Sequence, residues 1–220
     1  MIKILKIFSW GLSISFLGSL PLGTLNIAAM QIGIQEGIQA ALLFSLGSML
    51  VEMIYVRISL VGIDWIRKQE KVMKAMQWIT FAIVVALAVG SFIAASKGGV
   101  NAKNPVLDNN MNRFLLGVIG CAINPIVVIF WFGWSTILFD KKILIPENLY
   151  YNFYIAGIGI GALVGNCVFI FGGKWLVSRI ANSQLYLNWI IGVVFAITAM
   201  IMLYKILRPK KDSLKVANTI

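Results

Sequence analysis

The chain has 220 residues, of which 60% are hydrophobic and 12% charged, with a mean hydropathy of +0.88 and a formal net charge of +11. Soluble domains carry about twice that charged fraction, so the composition excludes an ordinary soluble protein and specifies an integral membrane protein. With no histidine and only Cys121 and Cys167, His-rich or paired-Cys zinc sites and Ser-His or Cys-His catalysis are excluded. No enzyme activity, metal or cofactor is expected.

Six apolar stretches follow one another, at about 7–32, 38–63, 78–95, 114–139, 150–175 and 185–207. Each is long enough to cross the hydrocarbon core as a helix, and their continuity argues against the alternating strands of a membrane barrel. The expected fold is an all-α membrane protein of six transmembrane helices in one domain spanning 1–220. It divides into a first repeat over about 7–96, a loop over 97–112, a second repeat over about 113–207 and a basic tail over 208–220.

Lys3 and Lys6 precede the first stretch in the manner of a signal peptide, but the stretch is too long and lacks a small-x-small cleavage site. It reads as a retained helix, interrupted at Pro21 and Gly23, with Thr24 and Asn26 just beyond. The second stretch carries Glu52 and Arg57, and after the third comes the Gly-, Asn- and Lys-rich connection. The fourth is interrupted at Asn124-Pro125. The fifth holds Asn166 and a smooth face of Gly157, Gly159, Gly161 and Gly165, suited to close helix packing. Trp10, Trp65, Trp78, Trp175, Tyr150, Tyr151 and Tyr204 fall near span ends, where interfacial anchors belong.

Lys and Arg concentrate in the N-terminus, the second and fourth connections and the tail, so the positive-inside rule places both termini in the cytoplasm. The net charge is thereby an orientation signal, with the tail able to touch lipid headgroups; no nucleic-acid partner is expected. Three spans per half is an odd number, so a three-span repeat must insert the second time upside down. That gives a 3+3 inverted repeat, with a site near the midplane where the first span of each half is broken by Pro21 or Pro125. A weak match lays Gly47 on Gly161 and Glu52 on Asn166.

Glu52 lies near the middle of its stretch, where an acid costs roughly 2.5 kcal/mol or more. It is either a structural carboxylate or part of a substrate or ion site. Asn26, Thr24, Asn124 and Asn166 are the polar side chains that could share such a site, since Asn offers both donor and acceptor to a zwitterion. Arg57 lies about 7.5 Å further along the helix and about 140° around, so it cannot pair with Glu52 within the helix. It either snorkels to the cytoplasmic surface or serves as a gating or substrate-carboxylate contact. No G-x-x-x-x-G-K-S/T phosphate loop occurs, which leaves an ion gradient as the energy source and Glu52 as a candidate proton carrier. Metal-cation export and a thiol–disulfide carrier on Cys121 and Cys167 are the alternatives, disfavoured by the scarcity of membrane acids and the absence of a C-x-x-C element.

Ser19-Leu20-Pro21-Leu22-Gly23-Thr24-Leu25-Asn26 resembles the first-span break of the lysine-exporter (LysE/RhtB) family of bacterial amino-acid efflux proteins. The family usually has Pro-Gly-Pro followed by a polar residue; Leu22 and Gly23 replace the Gly-Pro, marking a divergent member. The run through Gly33, Gly37, Ala41 and Gly47 to Glu52 is similar to its second helix. Asn124-Pro125 with Phe130-Trp131-Phe132 is similar to its fourth. The resemblance covers nearly the whole chain. It implies a secondary transporter of the cell inner membrane, exporting amino acids or related small amines on the proton motive force. Its partners would be an amino-acid substrate, protons and membrane lipid, with self-association into a homo-oligomer left open.

Overall fold

In hydrocarbon every backbone N–H and C=O must find a partner within the protein, and the apolar runs meet that demand by coiling into helices. A computed structural model describes residues 2–19, 24–61, 70–96, 104, 107, 109–179 and 183–208. Among these residues there are eight helices and no strand: α1 (Ile2–Ser19), α2 (Thr24–Gln35), α3 (Ile38–Val61), α4 (Glu70–Ser96), α5 (Arg113–Ala122), α6 (Pro125–Asp140), α7 (Asn148–Arg179) and α8 (Ser183–Leu207). Helices α3, α4, α7 and α8 are each long and apolar enough to cross a membrane. The expected first and fourth spans are bent pairs, α1 with α2 at 72° and α5 with α6 at 63°, so the count reaches six when each pair is one span.

Helix lengths depart from the apolar windows at their ends. Helix α4 starts at Glu70, before the window at 78–95, and α7 runs for 32 residues from Asn148 to Arg179. At 1.5 Å per residue α7 is about 48 Å long, more than the roughly 30 Å hydrocarbon core. Backbone hydrogen bonding continues the helix into polar sequence, whereas hydropathy records only the part that lipid would cover. The turn from α2 to α3 is made by Gly37 at φ +100, a left-handed conformation that ends α2 without a Cβ penalty.

Packing follows a crossed pattern. Helix α1 lies along α7 and α5 along α3, while α2 also touches α7, α6 touches α3, and α4 pairs with α8. The first two pairings rest on glycines that let backbones meet. A Cβ on Gly11 would overlap the carbonyl of Tyr154, and one on Gly157 the carbonyl of Phe8. In the same way, Gly47 meets the carbonyl of Phe114 and Gly117 that of Phe44. Each helix therefore presents an aromatic-x-x-Gly unit: Phe8/Gly11, Phe44/Gly47, Phe114/Gly117 and Tyr154/Gly157. Gly47 and Gly157 thus each meet a backbone carbonyl of a neighbouring helix, and Gly157 lies four residues before Gly161, which the sequence match laid on Gly47. Gly161 and Gly165 continue the α7 face against Leu12, Ser15 and Ser19 of α1, the close approach expected of that smooth stripe.

Two apolar cores result. One gathers Ile32, Phe44, Val84, Ile170 and Phe195 from α2, α3, α4, α7 and α8, and the other Ile14, Val56, Trp131, Leu138, Tyr154 and Ile158 from α1, α3, α6 and α7. Outward faces carry large exposed apolar residues such as Leu50, Ile54, Ile129 and Val168, as lipid contact requires. Trp175 and Tyr204 are exposed near helix C-termini, as interfacial anchors are, whereas Trp10 and Trp78, also exposed, lie in the middle of α1 and eight residues inside α4. Tyr151, expected among them, is instead buried, and Trp65 lies outside the described residues.

Candidate functional site

The two bends and the close approach of α1 to α7 leave a cavity of about 180 Å³. Its walls include Glu52, Asn26, Thr24, Asn124 and Asn166, so five residues scattered over more than half the sequence share one enclosure. Pro21 and Gly23 lie outside the described residues, and Pro125 occupies the first turn of α6, where a missing N–H costs nothing.

Each polar side chain arrives by a separate device. Glu52 sits on α3, one helical turn past Ser48, and its Oε1 accepts a 2.9 Å hydrogen bond from the indole Nε1–H of Trp131 on α6. The indole is itself fixed edge-on against Phe130 and Tyr154, at centroid distances of 5.0 and 6.4 Å, and is only 1% exposed. Asn124 caps α6, accepting from Ile126 N–H at 3.1 Å, and Asn26 donates its Nδ2–H to the Ser19 carbonyl at the end of α1. Gly165 meets Ser19, and this tight helix contact brings the adjoining Asn166 to the cavity wall.

The carbonyls at the second break are occupied. Tyr55 Oη–H donates to the Ala122 carbonyl, and Thr80 Oγ1–H donates to that of Ile123 at 2.6 Å. These two carbonyls are taken by α3 and α4 rather than left to a ligand, and the cavity presents side chains instead. Tyr55 and Thr80 thus hold the end of α5 in place. Replacing Tyr55 with Phe should leave the Ala122 carbonyl short of a donor and cost about 1–3 kcal/mol. The melting temperature of the purified protein is expected to fall by several degrees, with Thr80→Val giving a similar loss.

Two polar atoms in the wall have no hydrogen-bond partner among the described residues: Ser15 Oγ, 3% exposed, and Asn166 Oδ1, 5% exposed. Among the described residues Glu52 is the one anionic group in the wall and suits a donor-rich group such as an ammonium, while the Asn and Ser side chains beside it can both donate and accept. No Lys or Arg lines the cavity among the described residues.

Ser15, Ser48 and Trp131 were not picked out by sequence. Trp131 stood in plain view in the aromatic run Phe130-Trp131-Phe132, but nothing local ties it to Glu52. Arg57 lies apart from the cavity: its guanidinium donates to Asn148 Oδ1 at 2.9 Å and Asn152 Oδ1 at 3.4 Å and stacks on the Tyr151 ring at 5.5 Å. Both cysteines are free; Cys121 is buried in the cavity wall, and Cys167 does not line it. Glu52 is the one acid among the described lining residues, fewer carboxylates than a hard cation would gather.

Bent apolar spans around a partly open cavity with polar side chains in its wall fit a multi-pass membrane protein. The profile of the LysE type translocator family matches residues 16–206, and the chain belongs to that family. Membership makes its work efflux of amino acids or similar small molecules. Comparison with curated proteins and with solved structures finds no match.

Proposed function

We propose that this protein is a secondary active exporter of amino acids or related small amines, driven by the proton motive force across a bacterial inner membrane. One observation carries this reading: the acid Glu52 lines, together with Asn166 and Ser15, a chamber that Asn26, Thr24 and Asn124 complete from the two bent spans. The Glu52 carboxylate receives the substrate ammonium on one half of the cycle and a proton on the other. Substrate leaving outward is then exchanged for a proton moving inward. Asn166 and Ser15 share the ammonium hydrogens, and the N-terminal ends of α2 and α6 offer positive dipole ends to a carboxylate.

The architecture we infer is a single domain in a 3+3 inverted repeat, α1–α4 against α5–α8, with both termini in the cytoplasm. The exchanged contacts support it, since α1 on α7 mirrors α5 on α3 down to the paired aromatic-x-x-Gly units. The surplus of Lys and Arg near the termini supports the orientation.

Inverted membrane vesicles containing the protein test the function. Labelled amino acids should accumulate inside when respiration acidifies the lumen, and an uncoupler should release them. Accumulation indifferent to the uncoupler would remove proton coupling, and no accumulation of any amino acid by inserted, folded protein would remove the substrate assignment.

A further inference from the structure

Beside the polar chamber lies a second cavity of about 100 Å³, and the two have Thr24, Leu25 and Asn124 in common as wall. The second is of opposite character. It is lined by Phe44, Val84, Leu87 and Leu116, and beyond the shared residues its one polar lining residue among those described is Thr80. The Thr80 hydroxyl is already donated to the Ile123 carbonyl, so little polar capacity remains for an incoming group.

We infer that the apolar cavity is the side-chain subsite of the transported molecule and that it selects amino acids with small aliphatic side chains. The inference rests on the amino-acid reading above. With the ammonium held by Glu52 in the polar chamber, a side chain pointing past Leu25 enters a space that rewards apolar surface. A lysine ammonium, an aspartate carboxylate or a serine hydroxyl would lose water there and, beyond the shared Thr24 and Asn124, meet only the Thr80 hydroxyl, already donated to Ile123. Leu25, Leu116 and Gly120 set the size of the subsite. A Cβ on Gly120 would press on Leu25 Cδ2 at 3.3 Å, a flexible side-chain end, so Gly120→Ala narrows the space without a backbone clash. Leu116 is half-buried in the wall, so Leu116→Ala widens it.

The experiment is proton-driven uptake into proteoliposomes containing the purified full-length protein, with labelled alanine, valine, leucine, phenylalanine, serine, lysine and aspartate as separate substrates. The wild type should carry valine and leucine at least about 10-fold more efficiently than serine, lysine or aspartate, the scale on which an apolar pocket discriminates. Leu116→Ala should raise phenylalanine relative to leucine, and Gly120→Ala should lower leucine relative to alanine. Serine or lysine carried as well as leucine, or a ranking moved by neither variant in folded protein, would overturn the subsite while leaving amino-acid export standing. Transport of none of the seven would overturn both.

Discussion

Glu52→Gln is expected to abolish proton-driven accumulation while leaving the protein inserted and folded. The substitution keeps volume and shape, and the amide oxygen can still accept from the Trp131 indole, so the contact that positions the residue survives. What disappears is the negative charge and the site for a proton. Truncating one partner of a buried charge pair costs about 2–5 kcal/mol, which translates to a loss of about 30- to 4,000-fold in the affinity of an ammonium. Two assays separate the roles. If Glu52 carries only the coupling proton, the variant should still exchange labelled for unlabelled substrate across the membrane with no gradient. If it also binds the ammonium, as the proposed cycle requires, exchange should fail too. Full gradient-driven accumulation by the Gln variant would remove Glu52 from the mechanism. Trp131→Phe should be milder, weakening transport by about 10-fold or more, because a hydrogen bond to a charged group contributes roughly 1.5–3 kcal/mol.

The site was legible in sequence to the extent that lipid makes polarity conspicuous. Glu52, Asn26, Thr24, Asn124 and Asn166 stand out because little else in those stretches is polar, and they share one cavity. Arg57 stands out for the same reason, yet its partners are Asn148 and Asn152 at the start of α7. Polarity says that a group needs a partner and leaves open which one. Ser15 escaped notice for the opposite reason: a hydroxyl on a membrane helix usually bonds its own backbone, as Ser45, Ser48 and Ser59 do here. Only the packing of α1 on α7 brings Ser15 into the cavity wall, with its hydroxyl buried and unpartnered among the described residues.

The helices themselves were legible from apolar runs, and the bends between α1 and α2 and between α5 and α6 from proline. Helix pairing was not. Hydropathy is a property of one segment, whereas the meeting of Gly47 with Phe114 and of Gly11 with Tyr154 depends on two segments far apart in the chain. The aromatic-x-x-Gly unit is short enough to pass for chance until its four copies are found in contact.

Those glycines are where the fold is most exposed to a single change. Gly117→Val is expected to prevent accumulation of folded protein, because the new side chain meets the Phe44 carbonyl and backbone behind it, groups that cannot swing aside. Overpacking a tight interior costs about 1–3 kcal/mol, occasionally more, and here the clash falls on the main chain of α3, the helix that carries Glu52. The same contact is guarded from the other side by Gly47 against Phe114. The two positions are therefore not independent: once Gly117→Ala has pushed α5 from α3, Gly47→Ala should cost much less than it does alone, a non-additivity that a double-mutant cycle can read. Gly117→Ala supplies the graded case, and should lower the melting temperature by several degrees and slow transport in the same preparation, since moving α5 moves Cys121 and Asn124 in the cavity wall. Gly133, which has open space around its Cα, is the control: Gly133→Ala should leave both stability and transport unchanged. If Gly117→Val folded and transported as well as that control, α5 and α3 would not be packed backbone to backbone, and the chamber between the bent spans would need a different wall.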